Sequence, residues 1–251
     1  MARWLIALVI ALVSLITYFG STSTNPLTGE KQRVALKPEE EISLGLKSAP
    51  EMAAQMGGIS ANAEARALVQ RVGAKLVRES FAAGSPYRFS FQVLADPRTV
   101  NAFALHGGPV FVTEGLLRRL RSEAELAAVL GHEIGHVIAR HSSEQLAKQQ
   151  LTQGLIGAAV LGTGDYTAAQ IGQLVGGLIN MRYGRDDEIE SDALGIRIMA
   201  EAGYDPRAML AVMEMLAKAS GGSRQPEFFS THPAPENRQA RIREELAKRA
   251  K

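Results

Sequence analysis

The stretch LAAVLGHEIGHVIARH, Leu126 to His141, constrains the chain more than any other. It holds His132 and His136 four residues apart with Glu133 between them, inside a run of good helix formers. Ser122 with Glu125 three residues on marks the start of that helix as a capping box, and helix-forming residues continue to about Gln150. Residues four apart share a helix face, so both imidazoles point at one place, as a zinc ion requires. Glu133 is rotated about 100° from its neighbour. From there its carboxylate reaches a water polarised by the metal without being a ligand, and can take that water's proton as it attacks a carbonyl. Any fold of this chain must bring a further protein ligand to the two histidines and leave a position open.

Two templates supply that ligand. One needs a histidine six residues after His136 and a glycine three after it, but Ser142 and Ala139 stand there, and His141 is off the ligand face. The other takes a glutamate from a later helix. Glu188 and Asp192 lie four apart near the start of RDDEIESDALGIRIMAEAG (185–203). Glu188 can ligate while Asp192 accepts a hydrogen bond from the far nitrogen of a ligand histidine, fixing its tautomer. Glu190 reads as part of an acidic first turn, with a ligand role only if the register is shifted by two.

The rest of the chain reads as mixed and mostly helical. Helices are expected over PEEEISLGLKSAPEMAAQ, over Asn62–Ser80, over 185–203, from Asp205 to Ser220 and from Arg238 to Lys251. Tyr87–Ala95 alternates and reads as a strand, and Ala102–Leu105 with Val110–Val112 reads as a hairpin or a pair of short strands. Leu151–Asn180 is rich in small and apolar residues, its halves too short to span a bilayer; it reads as two buried helices or a lid over a cleft.

At the N-terminus, Arg3 precedes an apolar run from Trp4 to Phe19, then small polar residues. That is the pattern of an export signal, cleaved near Ser21/Ser23 or Gly20/Thr22 or kept as an anchor. A buried N-terminal core helix is the bland alternative. Both export readings put the remainder outside the cytoplasm, periplasmic or anchored to the inner membrane. With no cysteine there is no disulfide framework, Cys-ligated zinc, thiol nucleophile or lipobox. A net charge of +2 without a basic stripe argues against a nucleic-acid partner.

NAFALHGGPVFVTEGLL, ELAAVLGHEIGHVIARHSSEQ, YGRDDEIESDALG and STHPAPENR, together covering about Ala61 to Arg241, resemble the zinc metallopeptidase family that includes HtpX-type quality-control proteases and CAAX-prenyl proteases, family forty-eight of the gluzincins. The resemblance implies an α+β, predominantly helical zincin fold with a small sheet whose edge strand lines the cleft. It implies one zinc ion per chain, with His132, His136 and Glu188 as ligands, Glu133 as general base and Asp192 as the supporting acid. His106 stands where the family usually has proline, and Ser191 where it usually has alanine. Neither removes a catalytic group. The multi-pass membrane core of the prenyl proteases is missing, so prenylated substrates are not expected.

An exposed strand edge beside zinc binds an extended peptide through main-chain bonds, and Asn101, Ala102, Phe103 and Ala104 are the candidate, against an ordinary core hairpin. For the oxyanion donor the candidates are His232, Arg238, Tyr183 and Arg185. His232 either donates to the tetrahedral intermediate or binds the open zinc position and holds the enzyme latent. The expected organisation is a signal or anchor over 1–20, a linker and helix over 21–60 and a peptidase domain over 61–251. The expected activity is a metalloendopeptidase acting on unfolded envelope proteins. The competing readings are a zinc-bound, chaperone-like binding module with little turnover and a structural anchor protein whose histidines are incidental.

Overall fold

The computed structural model describes residues 2–163, 183–219, 226–233 and 237–249. The chain divides into two compact units, Met1–Lys37 with Arg140–Tyr183, and Pro38–Ala139 with Gly184–Lys251.

In the first unit, α1 (Ala2–Gly20) is followed by β1 (Thr22–Thr24) and β2 (Lys31–Arg33), which pair antiparallel with Ser23 opposite Gln32. This hairpin falls partly in the stretch expected to be a linker. Asn25 makes the turn, its side chain accepting from the Leu27 and Thr28 amides. The chain after β2 is tied to the start of α6 (His141–Thr163) by the Ala35 amide on the Ser143 carbonyl.

The second unit is built on α5 (Glu123–Ile138), buried at every position from Glu125 to Ile138. A helix apolar nearly all round has to be the centre of its unit. Ser122 caps it by accepting from the Glu125 amide, but the Glu125 carboxylate turns to the Arg121 amide and guanidinium instead of closing the box on Ser122. The single helix expected from Ser122 to Gln150 is interrupted. α5 stops at Ile138, Arg140 takes φ 61°, and α6 begins at His141. One residue in the left-handed region suffices to break the ladder, and propensity gives no sign of it.

β3 (Ser90–Leu94), β4 (Ala102–Ala104) and β5 (Pro109–Thr113) form one sheet in the order β3-β5-β4. β4 and β5 are the expected antiparallel hairpin, while β3 runs parallel to β5. Gly107 and Gly108 turn the hairpin at φ 72° and 126°, and a Cβ on either would strike the backbone of Ile42 or Arg88. On one face Leu94 and Phe111 pack with Ala53 of α2 (Pro38–Gln55). On the other the Phe91 ring lies against Gly73 of α3 (Ala63–Arg78), a helix capped by Asn62 as its sequence predicts.

A short turn α4 (Glu114–Leu117) leads to α5. After residue 183 follow α7 (Arg185–Glu201), α8 (Ala208–Ala219), the single turn α9 (Phe228–Thr231) and α10 (Arg238–Arg249). α8 starts later than Asp205 and Pro206 suggest, because the Asp205 carboxylate binds its own Arg207 amide and guanidinium. Leu151–Thr163 continues α6; the rest of the expected 151–180 pair lies outside the described residues. α1 is no core helix, since Leu5, Leu8 and Ile16 are more than 60% exposed.

Candidate metal centre

α5 and α7 cross closely enough to share a site. A Cβ on Gly135 would meet the Ser191 backbone oxygen at 2.8 Å, and one on Gly195 would meet the Gly131 carbonyl carbon at 3.0 Å. Gly135 therefore serves the helix crossing. At this crossing His132, Glu133 and His136 of α5 face Glu188 and Asp192 of α7, and all five are buried. His232 reaches the same point from the end of α9, its amide donating to the Phe228 carbonyl at 2.8 Å.

The ligating atoms cluster tightly. His132 Nε2 is 3.0 Å from His136 Nε2 and 3.3 Å from His232 Nδ1. Glu188 Oε1 is 3.0 Å from His232 Nδ1 and 3.4 Å from His136 Nε2, and Glu188 Oε2 is 3.5 Å from His132 Nε2. Four atoms bound to zinc at about 2.0–2.1 Å in a tetrahedron lie about 3.3 Å apart, so these separations are those of its corners. His132, His136, Glu188 and His232 are the one group among the described residues with this metal-ligand geometry.

The charges fit a dication as well. Three buried carboxylates, Glu133, Glu188 and Asp192, face one buried guanidinium, Arg238. With the imidazoles neutral, as metal ligation requires, the buried acids outnumber the guanidinium, an excess that a bound cation would balance. Burial would pull the His132 imidazole down, yet Asp192 and Glu188 push its pKa up to about 9. Burial would raise the Glu188 carboxyl, but His232 and His132 outweigh it and hold it well below the usual carboxylate range.

Asp192 Oδ1 accepts from His132 Nδ1 at 2.9 Å, which turns Nε2 and its lone pair to the cluster. Arg238 grips Asp192 from the other side, Nε to Oδ2 at 2.7 Å and Nη2 to Oδ1 at 2.9 Å, and places Nη1 2.7 Å from Glu188 Oε2. The guanidinium is thus committed to these carboxylates, at odds with its candidacy as an oxyanion donor. Of the other candidates, Arg185 is exposed at the start of α7, and the Tyr183 hydroxyl pairs with Ser142 in the first unit. His141 and Glu190 stand outside the ligand cluster.

Glu133 is fully buried, and among the described residues neither carboxylate oxygen has a hydrogen-bond partner; His232 Nε2 lies 3.6 Å from its Oε1. Burial raises its carboxyl above the ordinary value. At the sheet, β4 is an edge strand. The Leu105 amide bonds Pro109 and the Thr113 amide bonds Asn101, so alternation aims the main-chain groups of Ala102 and Ala104 away from β5. Asn101 is buried with its Oδ1 unpartnered.

Two contacts escaped the sequence reading. The Ser191 hydroxyl donates to the His132 carbonyl at 2.5 Å, tying α7 to the ligand helix. The Phe228 ring stacks on His232 at 4.5 Å, and its amide donates to the Val100 carbonyl, joining the His232 segment to the approach of β4. The aromatic pair in FFSTH was the only visible signal of the second.

The family model described as Peptidase family M48 matches residues 63–246. The beta-barrel assembly-enhancing protease of Escherichia coli (strain K12) is 33% identical over 186 residues, 70% of this chain and 37% of that protein. The mitochondrial metalloendopeptidase OMA1 of Arabidopsis thaliana is 36% identical over 154 residues, 58% of this chain and 30% of its own length. The corresponding Schizosaccharomyces pombe protein is 36% identical over 167 residues, 64% of this chain and 48% of its own. The aligned part of the chain thus spans less than half the length of each of these relatives.

Proposed function

Because the chain belongs to peptidase family M48, we propose that it is a zinc metalloendopeptidase hydrolysing internal peptide bonds of proteins. The observation that carries this reading is Glu133, a carboxylate buried without a hydrogen-bond partner among the described residues, beside four ligating atoms at tetrahedral spacing. A module that only bound zinc would have no use for it, and leaving it there costs stability. The zinc-bound binding module therefore stands second.

His132, His136 and Glu188 would hold the ion. When bound, zinc supplies a Lewis acid that polarises a carbonyl and acidifies water. Glu133 takes the proton of the attacking water and returns it to the leaving amine, and burial lifts its proton affinity toward that task. Asp192 keeps His132 in the tautomer whose Nε2 faces the ion, and Arg238 keeps Asp192 charged. The substrate backbone pairs in extended form with Ala102 and Ala104 at the edge of β4, with Asn101 Oδ1 ready for a substrate N–H.

His232 occupies the corner where the substrate carbonyl would enter. This arrangement is the latent form of the enzyme, opened when substrate displaces the imidazole. The name of the beta-barrel assembly-enhancing protease and the apolar N-terminal helix are the support for placing the peptidase unit outside the cytoplasm, with α1 as leader or anchor and proteins of the cell envelope as substrates.

Casein hydrolysis by the full-length, zinc-loaded chain in detergent tests this. Glu133→Gln should keep its zinc and lose about 10²–10⁴ of the rate. Normal cutting by Glu133→Gln would rule Glu133 out as the base, and a parent that binds zinc without cutting favours the binding module. His232→Ala should raise the basal rate; a fall would instead assign the imidazole to the oxyanion.

A further inference from the structure

α1 is long and apolar enough to cross a bilayer, with 19 residues and a mean hydropathy of 2.1 over its best window. At 1.5 Å per residue it spans about 28 Å, close to a hydrocarbon core of about 30 Å. It does not stand alone in its unit. α6 lies antiparallel along it, Gly154 against Ser14 and Gly162 against the Trp4 indole, with Ala158 buried between them. These three small residues recur every fourth position, so they form one stripe, the feature by which helices approach closely in lipid. Here α1 fills that stripe: a Cβ on Gly162 would come within 2.7 Å of the Trp4 ring.

The outer surface of the pair is mostly apolar, with Thr17, Gln153 and Thr163 exposed polar residues on it. Leu155 and Leu161 of α6 are each 38% exposed, and Leu5, Leu8 and Leu12 of α1 between 54% and 65%. From Gln149 to Gly164 the sequence carries no charge. In water this would be one continuous greasy face, which soluble proteins avoid. The ends of α1 carry the residues of membrane interfaces. Arg3 and Trp4 mark one, and at the other the Arg33 guanidinium lies over Tyr18 at 5.4 Å and Phe19 at 5.1 Å. The bonds where a leader would be cut are also engaged: Thr22–Thr24 pairs with β2, and the Ser21 carbonyl accepts from the Val34 amide.

We propose that α1 is retained as a permanent anchor and that α6, from about Leu151 to Thr163, lies beside it inside the lipid bilayer, making this unit a two-helix membrane anchor. α6 enters at the level of Thr17 and Tyr18 and reaches that of Trp4, running nearly the depth that α1 spans, with the backbone bonds of its interior satisfied within the helix. The proposal rests on the export part of the reading above and is independent of the peptide chemistry.

The chain has no cysteine, so single cysteines report cleanly. Leu8→Cys, Leu155→Cys and Leu161→Cys, with Gln70→Cys on the exposed face of α3 as control, are labelled with a bimane probe. The full-length chain is then placed in vesicles of phosphatidylethanolamine and phosphatidylglycerol, with and without a doxyl-labelled lipid. All three leucine positions should emit blue-shifted and be quenched by the doxyl lipid, and Gln70 should not. Water-like emission at Leu155 and Leu161 with a quenched Leu8 overturns the proposal and leaves the export reading standing. Water-like emission at Leu8 as well removes both. The intact mass of the chain from bacterial membranes should include α1; a product starting between Ser21 and Asn25 overturns retention.

Discussion

Asp192 shows how far a single side chain can be read before the fold is known. Its spacing from Glu188 along one helix is set by the covalent chain, so its face was legible, as were those of His132, Glu133 and His136. Its second partner was not: Arg238 lies on another helix, and only tertiary docking brings its guanidinium to Asp192 and Glu188. For the same reason Arg238 read as a free donor for an oxyanion, while in the fold it is spent. Asp192→Asn should keep the shape and lose the charge that fixes His132. We expect zinc affinity to fall about 10–100-fold, measured by competition with a chromophoric chelator. Unchanged affinity would make Asp192 a packing residue only. His232 lay between these cases, since its sequence marked it as a loop histidine and only the short turn α9 seats it 3.0 Å from Glu188.

α3 was legible because its apolar spacing and its Asn62 cap agree. What failed was local reversal and pairing. Arg140 at φ 61° divides one expected helix into two, and no neighbouring residue announces it. β3 pairs with β5 in parallel, a partner that a short alternating run does not identify. The crossing of α5 and α7 was hidden too, because glycines inside a helix usually read as weak points. Gly135→Ala tests it. Alanine favours a helix over glycine by about 1 kcal/mol, so at an open site the change stabilises. Here the new methyl meets Ser191 at 2.7 Å, and we expect a net loss of about 1–3 kcal/mol in urea unfolding of the zinc-loaded chain. A gain in stability would show that the helices can part without cost.

For the molecule as a whole, the division into units follows the chain in an interleaved order, residues before Lys37 joining those after Arg140. Composition marks a change at Leu151, where the small and apolar residues begin, and says nothing about the true junction. The catalytic unit should depend on its ion for stability as well as chemistry, since chelation leaves its carboxylates facing one guanidinium. Saturating zinc at a thousand times its dissociation constant contributes about 4 kcal/mol to the folded state. Chelation should therefore lower the melting temperature of that unit by several degrees, seen by calorimetry, and equal melting with and without chelator would remove the four residues as a zinc site. The positions of those residues have one more consequence, which concerns time. His232 lies 100 residues after His132, with Glu188 between. A chain made and exported from its N-terminus holds two of the four corners early and the last only near the end. On the proposed reading the protein would be cargo during its own passage, and the capacity to cut others would arrive only after it had itself become compact.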